Sequence, residues 1–113
     1  MVKKLVITNR EDFKLYIKNN KFVVIKASTT WCGPCKKINS ELIKIIDSLS
    51  NSISVVFLDI DDGRDLSSYL KIPGIPAFLF YIDGAPDICL VGSDLLKINK
   101  FFKGVTDKVI ENS

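Results

Sequence analysis

The sequence has no histidine, one tryptophan and three cysteines among 113 residues. Without an imidazole there is no base for a serine– or cysteine–histidine nucleophile. A mononuclear zinc site usually draws four ligands from cysteine and histidine, more than three cysteines can fill. Two chains pooling a cysteine pair each around zinc or an iron–sulfur cluster stay open. Haem attachment needs a histidine after the second cysteine of a CxxC pair, and Lys36 stands there. Arginine is scarce: only Arg10 and Arg64 among sixteen basic residues. Lysine offers point charges rather than the planar forks that read guanine. With a formal charge of +3, no nucleic-acid partner is expected. Apolar runs such as Phe78 to Ile82 fall far short of the ~18 residues of a spanning helix, so no membrane partner is expected either. Leu5-Val6-Ile7 is too short for a signal-peptide core. We expect a reducing intracellular compartment, the cytoplasm or an equivalent, where a cysteine pair more often serves redox or metal chemistry than stapling.

What is present suits one compact domain spanning residues 1–113. The 47% hydrophobic content supports a core, and 26% charged residues are ordinary for a globular chain. Lys4 to Ile7 reads as a strand, and TNRE after it as a capping box with Thr8 as the cap. Phe13, Tyr16 and Ile17 continue at helical spacing. Phe22 to Ala27 is a buried, β-branched strand broken only by Lys26. Ile38, Leu42, Ile45, Ile46 and Leu49 make the apolar stripe of a helix of about four turns. Ile53 to Asp59 is another strand, and Asp62 is expected to cap a short helix through Tyr69. After the KIPGIP loop, Ala77 to Ile82 is a strand, Asp83-Gly84 a hairpin turn, and Ile88 to Val91 its return. Pro86 suits a sheet edge. Ser93 is expected to cap a last helix striped by Leu95, Ile98, Phe101, Phe102, Val105 and Val109. Alternation of strands and helices requires parallel crossovers, whereas the tight turn requires an antiparallel pair. The fold class is therefore α/β, a central mixed sheet of about five strands flanked by about four helices.

The chemistry sits in TTWCGPCKK. Cys32 and Cys35 occupy the handover from strand to helix, at a spacing that puts both side chains on one face within disulfide reach. Free N–H groups and the helix dipole favour an anion there by about 0.3–2 kcal/mol. That lowers a thiol pKa by up to about one unit, at ~1.4 kcal/mol per unit. Cys32 thus gains thiolate without a histidine, and a second thiol one turn away can resolve a mixed disulfide. Gly33 leaves room for a substrate backbone, and Pro34 suits a first helical turn, where its missing N–H costs little. Trp31 is expected to be an exposed apolar platform. Elsewhere, Cys89 reads as a small core or edge hydrophobe. The carboxylates of DIDDGRD, Asp59 to Asp65, read as a strand end and a helix start rather than a calcium loop.

WCGPC after an apolar strand, with Gly74-Ile75-Pro76 and Val91-Gly92 downstream, resembles the thioredoxin family, and the element order matches that fold over nearly the whole chain. The resemblance implies that Cys32 attacks and Cys35 resolves. It implies a cis Ile75–Pro76 peptide packed against the pair, with Trp31, Gly74, Ile75 and Gly92 as the surface that docks an extended substrate by strand addition. It further implies a protein-disulfide reductase acting as a monomer without a bound cofactor. Disulfide-containing proteins would be its substrates, with a thioredoxin reductase or another dithiol as electron donor. An oxidase or isomerase, or a non-enzymatic adaptor using the same surface, are the alternatives. Three positions depart from the family pattern: Ser28 replaces a tryptophan, Ser40 a helix-kinking proline, and Lys26 a buried acid. The Lys26 ammonium could favour the thiolate and a more oxidising couple, burial could strip its proton and leave an amine base, or its stem could snorkel to solvent.

Overall fold

The computed structural model describes residues Met1–Ser113. Its elements follow the expected order: β1 (Lys3–Val6), α1 (Arg10–Asn19), β2 (Phe22–Ser28), α2 (Gly33–Asp47), β3 (Ile53–Asp59), α3 (Arg64–Leu70), β4 (Ala77–Ile82), β5 (Ala85–Val91) and α4 (Leu95–Glu111). The five strands form one sheet in the order β1-β3-β2-β4-β5. β2 and β1 each pair parallel with β3, and β4 runs antiparallel to both β2 and β5. β2 is therefore the middle strand, which explains why its first six residues are all buried.

Side chains alternate across the sheet, and each face has its own core. Phe22, Val24, Val55, Phe78 and Phe80 pack under Ile38, Leu42 and Ile46 of α2 and the apolar stripe of α4. Val23, Ile25, Ala27, Val56 and Leu58 pack against Phe13 of α1 and Leu66 of α3 on the other side. Phe13, Phe78, Phe80, Leu42 and Ile98 are almost wholly excluded from solvent, and burial of each such side chain contributes roughly 1.5–3 kcal/mol. By the same alternation Lys26 follows Phe22 and Val24 onto the face under α2. Its neighbours across the strands are Phe57 and Phe78.

The ends of the elements depart from expectation in a consistent way. Asn9, not Thr8, caps α1, accepting from the Asp12 N–H at 2.8 Å. α3 starts from Gly63 rather than Asp62 and has no side-chain cap bond. A Cβ at Gly63 would collide with Leu58 Cδ1 and approach Thr8 Cα to 3.3 Å, so tight packing of that turn selects glycine. Asp94, not Ser93, caps α4, accepting from Leu96 N–H at 2.9 Å and Lys97 N–H at 3.4 Å. These three helices begin one residue later than read, and for α1 and α4 the reason is that adjacent polar residues are equally good caps until the path of the chain chooses one. β1 stops at Val6, Leu49 is buried just beyond the end of α2, and β5 begins at Ala85, earlier than the expected Ile88. Asp83 and Gly84 take φ of 50° and 80°, the left-handed pair that a two-residue hairpin requires. Pro86 lies on the edge strand, where its missing N–H breaks no central ladder.

The cap assignment is directly testable. Asp94→Ala should lower stability to urea by about 1 kcal/mol, while Ser93→Ala should leave it within about 0.5 kcal/mol. The reverse ranking would overturn it.

Candidate active site

β2 delivers the chain to the edge of the core at Ser28, and α2 begins five residues later. Cys32 is the N-cap of α2, with extended φ and ψ of −75° and 105°. Its Sγ accepts from the Cys35 backbone N–H at 3.2 Å, so one of the unpaired amides of the first turn already points at the sulfur. Pro34 sits within that turn, and no acidic residue lies there to offset the dipole. Cys32 and Cys35 are joined by a disulfide with Cα atoms 5.3 Å apart, and both are buried, 3% and 4% exposed. A Cβ on Gly33 would meet nothing within 4 Å. The fold itself therefore does not require glycine at this position, and the space above it is open to an approaching chain.

Trp31 is 66% exposed and is held in place by its Nε1–H, which donates to Asp61 Oδ2 at 2.7 Å. Asp61 is fixed in turn by its own N–H, bonded to Asp59 Oδ1 at 2.9 Å. Asp59 and Asp61 thus organise the turn after β3 and orient the aromatic platform. Spacing could not reveal the Trp31–Asp61 bond, since thirty residues separate the two.

The downstream residues reach the same end of the sheet through strand direction. β4 is antiparallel to β2, with Ala77 opposite Ala27, so the segment entering β4 lies where β2 runs out toward the cysteines. The Ile75–Pro76 peptide in that segment is cis. β5 returns with Val91 opposite Ala77, and the Gly92 N–H donates to Pro76 O at 2.9 Å. Gly92 holds φ at 126°, a region that side chains rarely allow. Gly74 lies close enough to Val91 that a Cβ would sit 3.3 Å from its Cγ1. Gly74, Ile75 and Gly92 are all half-buried. Cys89 is exposed on the edge strand.

Lys26 is 9% exposed, and its Nζ donates to Ser28 Oγ at 3.2 Å. Most of the side chain is buried, and the residue lines a depression that opens to solvent beside Cys35. Burial holds the Lys26 ammonium below its usual pKa. Ser28, legible in the sequence only as a departure, supplies the one hydrogen-bond partner this amine has. No three Cys, Asp or Glu side chains converge to share a metal ion, and no helix is long and apolar enough to cross a membrane.

A family model described as thioredoxin matches residues 4–104. The chain is 34% identical over 92 residues to Thioredoxin-2 of Pyricularia oryzae, covering 81% of this chain but 53% of that protein, about half its length. It is 42% identical over 85 residues to the thioredoxin of Ictalurus punctatus, covering 69% of this chain and 76% of that one. Among solved structures, the thioredoxin of Malassezia sympodialis superposes with a TM-score of 0.81 at 29% identity, over 94% of this chain and 96% of that one.

The buried amine makes stability depend on pH with a defined sign. Because the folded state holds the Lys26 proton less tightly than the unfolded chain, folding is penalised at neutral pH. The penalty fades as pH rises toward the ordinary value of 10.5. Lys26→Met should therefore be more stable than the wild type in urea at neutral pH, and the difference should shrink in alkaline buffer. A difference that stays constant across that range would refute this account.

Proposed function

Because the chain belongs to the thioredoxin family and is a thiol-disulfide oxidoreductase, we propose that it is a protein-disulfide reductase that works as a single domain and a monomer. The observation carrying this reading is the Cys32–Cys35 disulfide at the start of α2, with Cys32 Sγ already accepting an amide hydrogen bond. In the reduced protein the Cys32 thiolate attacks one sulfur of a partner disulfide, forming a mixed disulfide and expelling the first partner thiolate. Cys35 loses its proton and attacks Cys32 Sγ, which closes the intramolecular bond and expels the second thiolate. Two electrons pass to the partner. A thioredoxin reductase or another dithiol then returns them.

Docking completes the assignment. Both sulfurs are shielded, so exchange is restricted to partners that seat closely on the surrounding surface. Trp31, Gly74, Ile75 and Gly92 form that surface, Gly33 leaves space for it, and Pro34 and Pro76 shape its two sides. An extended disulfide-bearing segment would add as a strand beside residues 74–76, drawing affinity from backbone hydrogen bonds rather than particular side chains. A reducing intracellular compartment suits this cycle and the exposed thiol of Cys89.

Lys26 favours a less reducing couple within the same chemistry. An ammonium near the pair stabilises thiolate, and hence the reduced form, so the potential rises. Redox titration should place the wild type above Lys26→Met by about 30 mV, equivalent to roughly 1.4 kcal/mol. Equal potentials would eliminate the electrostatic role.

Insulin-disulfide reduction with dithiothreitol tests the main reading. The wild type should accelerate precipitation, Cys32→Ser should match the reagent alone, and Cys35→Ser should accumulate mixed disulfides with its substrates. Wild-type activity equal to that of Cys32→Ser would instead favour a binding subunit that uses the same surface without electron transfer.

A further inference from the structure

The two faces of β5 are covered unequally. Ile88 and Leu90 pack against the core that holds the apolar stripe of α4. Cys89 and Val91, which point the other way, are exposed, Val91 to 47%. α3 ends at Leu70, and the chain leaves it as the loop that leads to the cis Ile75–Pro76 peptide. Between that loop and the sheet lies a cavity of about 220 Å³. Leu70 and Pro73 wall it from the end of α3 and the loop, and Leu79, Cys89 and Val91 from the strands. Lys71 is the one charged residue at its edge.

The cavity adjoins the docking surface. Pro73 and Val91 immediately precede Gly74 and Gly92, and a Cβ on Gly74 would sit 3.3 Å from Val91 Cγ1. The glycine backbone thus lies directly against a side chain of the cavity wall. The bond from the Gly92 N–H to Pro76 O ties the two segments together. An apolar hollow gains most when an apolar group displaces its water. A cavity of about 150 Å³ already accommodates benzene, so this volume suits a leucine or phenylalanine side chain. At ~3.3 Å per residue, a segment that sets its cysteine beside Pro76 and runs along the loop brings the residue two places away level with Gly74, at the cavity mouth.

We propose that this cavity is a specificity pocket of the docking surface, taking an aliphatic or aromatic side chain carried two residues from the reacting cysteine of an extended partner segment. The proposal deepens the docking reading above and rests on it. Backbone pairing beside residues 74–76 accepts any sequence, and the pocket adds a preference. Burial of a leucine-sized side chain there tightens binding about tenfold, whereas a polar one gives up hydration without a partner. Lys71 at the edge makes a cationic residue the least favoured. The chemistry at the sulfurs is untouched, so the gain falls on KM and not on kcat.

The test uses two cysteine-free peptides with serine in place of the reacting cysteine, alike except for leucine or serine at both positions two places from it. Each is titrated into the oxidised protein and followed by amide NMR shifts. The leucine peptide should give saturable shifts at Leu79, Cys89 and Val91, with a Kd about tenfold below that of the serine peptide. The matching disulfide-linked peptides should show the same ratio in KM at unchanged kcat. Cys89 is the one free thiol of the oxidised protein. Capping it with N-phenylmaleimide, or Cys89→Trp, fills the cavity and should bring the ratio within about twofold, while Cys89→Ser should preserve it. Unsaturable shifts with the leucine peptide, equal binding of the two, or a ratio that survives both capping and Cys89→Trp would overturn the pocket. Failure to reduce either disulfide peptide, with the leucine preference in binding intact, would remove the reductase assignment and leave the pocket standing.

Discussion

The hydrogen bond from the Cys35 amide to Cys32 Sγ is the contact on which the chemistry depends. It exists because a buried strand ends at the half-buried Ser28 and a helix begins at Gly33, so the helix must start with unpaired amides that a side chain can cap. A cysteine in that role replaces the usual oxygen with sulfur. The same geometry that begins the helix therefore aims a backbone amide at the sulfur. Burial of the rest of α2 through Ile38, Leu42 and Ile46 anchors the helix against the sheet and keeps its first turn from wandering. Sheet order does the rest: because β4 runs antiparallel to β2, the cis-proline segment arrives at the end of the sheet where the disulfide lies.

Burial of Lys26 works against this arrangement. The residue occupies a position that alternation assigns to the core, opposite Phe57 and Phe78, and a charge there costs hydration that apolar neighbours cannot return. Ser28 offsets part of that cost, and it can do so because two residues along a strand place both side chains on one face.

Much of this was legible in the chain. A 3.6-residue period marked the helices, and short continuous runs rich in β-branched residues marked the buried strands, because both signals are set by backbone geometry and side-chain shape before any tertiary contact forms. The Asp83-Gly84 turn was legible for a related reason: few residues accept positive φ. The caps were not, since Thr8 and Asn9, or Ser93 and Asp94, are chemically equivalent candidates and only the incoming path of the chain distinguishes them. Gly63 begins α3 for a reason that lies in Leu58 and Thr8, neither of which is local to the helix.

By itself the sequence determined the order of the elements, the two-sided core and the placement of a cysteine pair at a helix start, because each follows from local geometry and the burial of apolar side chains. Only the tertiary structure decided that Trp31 is held by Asp61, that the Lys26 amine is bonded to Ser28, and that Thr29 is left without a partner. Those outcomes depend on which side chains share a small volume once crossovers and strand directions are set, and linear spacing carries no information about that.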